Sequence, residues 1–225
     1  QGETVKIALI EGLSGPMGNV GSNQLKTLQY LAGQLSADEN PAGVKFEVIA
    51  MDSKSSPQEA LSLLQKAADQ GFRYVAQGNG SHVSLPLAEA VGKFNQRNPG
   101  HEMLFLNYAG VDPASTNEQC NYWHFRLDAD TSMKMRALAQ FMQDQPAHRY
   151  FLMNQKYSHG EQVAEYFKKS IAVEKPDAEI VGEDYAALGQ VKDYAPYVAK
   201  IKASGAEAIV TGSWGQDFTL LAKAL

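Results

Sequence analysis

Residues 71–86 read Gly-Phe-Arg-Tyr-Val-Ala-Gln-Gly-Asn-Gly-Ser-His-Val-Ser-Leu-Pro, and this stretch decides the fold. Phe72 to Ala76 is apolar apart from Arg73 and rich in strand formers. It is too short for a helix, so it predicts a buried strand. Gly78 and Gly80 bracket Asn79 where that strand should end. Ser84 and Pro86 then open a helix, whose apolar positions Leu87, Val91 and Phe94 recur at helical spacing. A strand running through Gly and Ser into a helix start builds an anion site. The first helical N–H groups lack internal partners, and the dipole favours negative charge. Ser81 adds a hydroxyl donor. The same stretch also fits an ordinary strand-to-helix turn that holds nothing.

Outward from this stretch, strands and helices alternate. Val5–Ile10 is a buried strand, Glu11–Gly21 a glycine-rich loop, and Leu25, Leu28, Leu31, Ala32 and Leu35 mark one face of a helix. Lys45–Met51 is the second strand. Ser56-Pro57-Gln58-Glu59 predicts a helix start with a capping box, and Gly71 closes that helix. Met103–Leu106 is a fourth strand, followed by a small-residue crest from Asn107 to Pro113. Trp123–Asp130 has no helical period and reads as a crossing segment. Thr131–Met142 is helical, Tyr150–Met153 a strand, Glu161–Ile171 a helix and Glu179–Val181 a strand. Asp193 caps a helix with Pro196 in its first turn, Ala208–Thr211 is a strand, and Phe218, Leu221 and Ala222 begin a last helix. Alternation of this kind predicts α/β architecture with parallel sheets.

The chain also repeats loosely. Gly71–Gly78 matches Gly205–Gly212 at an offset of 134 residues (Gly71 to Gly205). Each copy is a helix-ending glycine, a buried strand and a crest. Crests at strand C-terminal ends are where open α/β sheets bind ligands. The expectation is two lobes, residues 1–124 and 125–225, with a cleft between their crests. The pattern at Leu225 carries no stop signal, so the reading expects further chain beyond it.

Composition narrows the function. The 225 residues are 44 % hydrophobic and 20 % charged, with net charge −5, which argues against a nucleic-acid partner. No apolar run approaches the roughly 18 residues of a membrane span. The start at Gln1-Gly2-Glu3 reads as a processed N-terminus, with a signal peptide removed, or as a cut edge. One cysteine, Cys120, excludes an internal disulfide framework. The five histidines have no ligand spacing, so no metal is expected. Gly78-Asn-Gly80-Ser-His-Val83 fails as a dinucleotide fingerprint at its third glycine, so no cofactor is expected. Gly12-Leu-Ser14-Gly15-Pro16 fails as a nucleophile elbow, and no catalytic pair of carboxylates stands out. What remains is recognition by small donors and aromatic rings. Tyr108, Tyr157 and Trp214 each lie just after a predicted strand, and His159 shares the loop of Tyr157.

The order VKIALIEGLSGPMGNVG, SSPQEALSLLQKAADQGFRYVAQGNGS, Asp112-Pro113 and Lys156-Tyr-Ser-His-Gly-Glu161 resembles the type I periplasmic solute-binding proteins of ABC importers. It looks most like their leucine/isoleucine/valine-binding group. The resemblance implies two Rossmann-like lobes closing on a ligand, in a longer chain that returns to its first lobe. It implies a non-enzymatic, periplasmic (or extracellular, membrane-anchored) protein that hands an amino acid or other small carboxylate to a membrane ABC permease. A ligand-sensing receptor or regulator of the same fold is the alternative. By position, Ser81 matches the serine that holds the ligand carboxylate, with His82 beside it. Ala109, Gly110 and Val111 match the neighbouring crest, where Val111 replaces a typical threonine and Tyr108 precedes it. Tyr157 matches the tyrosine of the second lobe, Trp214 an aromatic lid, and Val20 a frequent aromatic contact. These departures leave an aromatic acid as open as a leucine-type ligand. Cys120, in an oxidising compartment, is expected to find a partner in later chain.

Overall fold

The computed structural model describes residues 3–37 and 40–225. It divides into two compact units, Gln1–Asp128 and Ala129–Leu225.

The first unit is built on five parallel strands in the order β2-β1-β3-β4-β5. These are β1 (Thr4–Glu11), β2 (Lys45–Asp52), β3 (Tyr74–Gln77), β4 (Leu104–Asn107) and β5 (His124–Arg126). Helices α1 (Gly18–Ala37), α2 (Pro57–Asp69) and α3 (Ser81–Arg97) connect them, with a short 3-10 turn at Pro113–Thr116. The core gathers Ala8, Ile10, Val75 and Phe105 of the strands against Leu64 of α2 and Leu87 and Val91 of α3. Ser56 caps α2 as its sequence demands, accepting from the Glu59 N–H at 3.3 Å. The capping box is only half made, because the Ser56 N–H goes to the Ser53 carbonyl.

The second unit has three parallel strands in the order β7-β6-β8: β6 (Arg149–Gln155), β7 (Glu179–Ala186) and β8 (Ala208–Val210). Helices α4 (Thr131–Met142) and α5 (Ser158–Glu174) share one apolar cluster with this sheet, around Tyr150, Leu152, Val163 and Phe167. Helices α6 (Ala195–Ala203) and α7 (Gly215–Ala224) share another, around Phe151, Met153, Tyr194, Ile201 and Leu221. Successive β6 residues therefore feed opposite faces, the period of two that a doubly covered strand requires.

Several details differ from the sequence reading, among them the strand from Glu179, which runs on to Ala186, and helix α6, whose N-cap is Tyr194 and not Asp193. Helix α1 begins at Gly18, inside the glycine-rich stretch, where Gly21 packs against Gly12; a Cβ on Gly21 would lie 2.0 Å from the Gly12 carbonyl oxygen. Leu31 and Leu35 of α1 are exposed, and Ala32 is the buried residue of that face. The segment after Trp123 is not merely a crossing, since His124–Arg126 pairs with β4 as an edge strand. Helix α3 opens at Ser81 and not at Ser84. Gly80 takes φ 95° at its N-cap, so the chain turns into the helix three residues early, and Pro86 sits inside it.

Candidate functional site

The first-unit crest is formed by the C-terminal ends of β1, β3 and β4. Because α3 starts at Ser81, this serine lies in the first helical turn and not in a loop. Val83 and Ser84 return their N–H groups to the Gly80 carbonyl. Among the described residues neither the Ser81 hydroxyl nor its N–H has a hydrogen-bond partner, although the residue is only 2 % exposed. The first turn of α3 contains no acidic residue, and its N-cap offers no side-chain acceptor. The positive end of the helix dipole is thus uncompensated from within the helix. His82 follows, with Nε2 3.1 Å from the Ser55 carbonyl oxygen. Burial holds its pKa below the ordinary histidine value, so it is neutral near pH 7. Lys54 and Ser55, at the end of β2, both have positive φ (53° and 57°). This strained pair is braced by Asp52, which accepts from the Leu13 and Lys54 N–H groups at 2.9 Å each.

The residues of the next crest are engaged internally. Gly110 gives its N–H to Asn107 Oδ1 at 2.6 Å, and Asn107 Nδ2 returns a bond to the Gly110 carbonyl at 2.9 Å. A Cβ on Gly110 would meet Ser84 Oγ at 2.3 Å, so only glycine fits between this loop and α3. Val111 is buried, and Ala109 is half-buried with its N–H close under Gly78. Tyr108 lays its ring against Gly78 and donates its hydroxyl to Glu11 Oε2.

Glu11 went unremarked in the sequence, where it is one polar letter after an apolar strand. It is 1 % exposed. Its Oε1 accepts from the Gly12 N–H at 3.0 Å, and its Oε2 from the Gly78 and Asn79 N–H groups at 3.1 Å each, besides Tyr108. One carboxylate therefore ties the ends of β1, β3 and β4. Burial raises its pKa above the usual carboxylate value against the pull of these four donors, and the same burial, with the Glu11 charge, raises that of Tyr108.

In the second unit the structure brings Tyr157 and Trp214 together: Trp214 Nε1 donates to the Tyr157 hydroxyl at 2.8 Å. Each aromatic is the residue before a helix, Tyr157 before α5 and Trp214 before α7. The His159 ring lies 5.8 Å from that of Tyr157, with Nε2 3.2 Å from the Gly212 carbonyl oxygen. Beneath them, Asp217 is 1 % exposed and accepts from Gln155 Nε2 at 2.7 Å and the Gly189 N–H at 2.8 Å. Gln155 Nε2 also reaches the Trp214 carbonyl at 3.2 Å. The first turn of α7 thus holds its own carboxylate, whereas that of α3 holds none. The sequence repeat is visible here: the offset of 134 that relates Gly71 to Gly205 carries Gly80 onto Trp214 and Ser81 onto Gly215.

Val20, on α1, is half-buried. Cys120 is exposed and unpaired among the described residues. No group of three or more metal-ligating side chains occurs among them. A cavity of about 540 Å³ opens at the opposite strand ends, beside Val5, Arg73, Tyr74 and Glu102. It lacks the convergent donors of the crest and lies at the N-terminal ends of the strands, away from where parallel sheets bind ligands.

Comparison with known proteins gives a consistent picture. Residues 4–225 match the family model described as periplasmic binding protein. The Leu/Ile/Val-binding protein homolog 4 of Brucella abortus is 31 % identical over 226 residues, covering 99 % of this chain and 53 % of that protein. The Leu/Ile/Val-binding protein of Escherichia coli K12 is 19 % identical, covering 94 % and 55 %. Among solved structures, the leucine-, isoleucine-, valine-, threonine- and alanine-binding protein of Brucella ovis in a closed conformation superposes with a TM-score of 0.82. It is 30 % identical, and the match covers 98 % of this chain and 57 % of that one. A solute-binding protein of an R. palustris ABC transporter, in complex with 4-hydroxybenzoate, superposes with a TM-score of 0.80 at 21 % identity, covering 98 % and 57 %. The chain spans about half the length of the curated relatives it matches.

Proposed function

Because the chain belongs to the periplasmic binding protein family, within its Leu/Ile/Val-binding group, we propose that it is part of the solute-binding component of an ABC importer. Its ligand is a small carboxylic acid, and the protein works outside the cytoplasmic membrane without turnover. The observation that carries this reading is Ser81. A buried serine in the first turn of a 17-residue helix, with hydroxyl and N–H both without partner among the described residues, asks for an acceptor. A carboxylate supplies two oxygens and the negative charge that the helix end favours.

In the second unit Tyr157 and Trp214 form an aromatic pair held by the bond between them. An aromatic pair of this kind suits the body of an amino acid or an aromatic acid. In this reading Ser81 of the first unit takes the charged end of the ligand, beside His82, Ala109 and Val111. No helix among the described residues is long and apolar enough to cross a membrane; in the importer reading the partner implied by the family is a membrane permease.

The test is chemical. Mass spectrometry of small molecules released on denaturing the intact, freshly purified protein should find a carboxylic acid at near one equivalent. Calorimetric titration with leucine and with 4-hydroxybenzoate should then rank the two classes. A stoichiometric ligand without a carboxylate contradicts the reading. Turnover of the ligand into a product would move the protein to another class.

A further inference from the structure

We propose that Glu11 is a specificity-determining residue that selects a zwitterionic acid over a bare monoanion at the Ser81 site. The inference rests on the reading of Ser81 as the carboxylate site. It starts from the composition of the shell around Glu11: three backbone N–H groups and one phenol hydroxyl, all of them neutral donors. No lysine, arginine or histidine pairs with it among the described residues. These donors oppose the burial that raises the Glu11 pKa, and once the carboxyl is ionised its charge is not cancelled by a neighbouring cation among the described residues.

The charge lies close to Ser81. Glu11 Oε2 is 3.1 Å from the Asn79 N–H nitrogen, and Asn79 is two residues before Ser81. Two residues of extended chain span at most about 7 Å, so the carboxylate lies within about 10 Å of the Ser81 amide. It is 1 % exposed, so it does not touch the ligand. It acts through space. A ligand carboxylate at Ser81 meets a like charge there, and an ammonium on the adjacent carbon offsets it. At about 10 Å and an effective dielectric near 20, one unit charge changes affinity by about tenfold. The other determinant of the crest, the α3 terminus, attracts any anion equally and does not discriminate.

Leucine and 4-methylpentanoate form the probe pair, since they differ by the ammonium group alone. Their affinities are measured by calorimetry on the intact wild-type protein and on Glu11→Gln and Glu11→Asp, beside melting curves. The preference for leucine should fall by about tenfold in Glu11→Gln and be kept in Glu11→Asp. A general loosening of the crest would weaken both ligands together and leave the ratio unmoved, so an unchanged ratio in a folded Glu11→Gln overturns the proposal. Glu11→Gln combined with Tyr108→Phe serves if the single neutral variant does not fold, since it leaves no unpaired phenol. If neither neutral variant folds, Glu11 is structural and the proposal is withdrawn. If wild type binds neither probe nor any other carboxylic acid, the Ser81 reading fails first and this inference falls with it. A wild type that binds only non-amino acids keeps the Ser81 reading and overturns this one.

Discussion

At the scale of single residues, the crest depends on two side chains of opposite legibility. Ser81 stands out in the sequence as a serine after paired glycines and a strand, a pattern that fits an anion site and an ordinary turn alike. Glu11 does not, because nothing in the sequence says that a charge after an apolar run will turn inward. Only the approach of Gly78, Asn79 and Tyr108 makes that burial tolerable, and those contacts span 67 to 97 residues of sequence. The same burial makes a prediction about pH. The folded pKa of Glu11 lies above its ordinary value of 4.5. The folded state therefore holds the proton to higher pH than the unfolded chain does. The contribution of Glu11 to stability is fully present below about 4.5 and is lost as pH rises through the folded value. Chemical denaturation of wild type and Glu11→Gln between about pH 4 and pH 7 checks this. The wild-type stability minus that of the variant should decline as pH rises, and a flat or rising difference contradicts it.

Among the secondary-structure elements, the strongest local signals were read correctly and the weak ones were not. Ser56-Pro57 opened α2 as capping chemistry requires, and Thr131–Met142 is helical over its whole predicted length. Strand β5 was missed because three residues carry no period, and its pairing with β4 is a tertiary fact. The start of α3 was misplaced because Pro86 looks like a first-turn proline, while the φ of Gly80 had already turned the chain. Two substitutions test these junctions. Ser56→Ala removes the acceptor of the Glu59 N–H and should cost about 1 kcal/mol in denaturant unfolding, with no change in ligand affinity. Gly160→Ala should be more severe. A Cβ there would stand 1.9 Å from the Gln155 carbonyl oxygen, so the first turn of α5 must move off β6. Overpacking of this kind costs about 1–3 kcal/mol, read as a lower melting temperature. Because Tyr157 and His159 sit on the same turn, affinity should fall as well, which separates Gly160→Ala from Ser56→Ala.

For the whole molecule, the α/β class, the parallel sheets and the family were legible, since alternation and the repeat between Gly71–Gly78 and Gly205–Gly212 survive loose sequence matching. What the sequence could not tell was which of two similar crests takes the anion. The first turns of their helices differ: that of α7 carries Asp217 and that of α3 carries no acid, although the buried Glu11 carboxylate lies on the Gly78 and Asn79 N–H groups just before α3. The proposed carboxylate site depends on Ser81. Calorimetric titration of intact wild type and Ser81→Ala with the carboxylic acid that the wild type binds is the direct measurement. Hydrogen bonds to a charged group contribute about 1.5–3 kcal/mol, so the variant should keep its melting temperature and lose roughly 10- to 150-fold in affinity. Wild-type affinity in a folded Ser81→Ala protein would contradict the account.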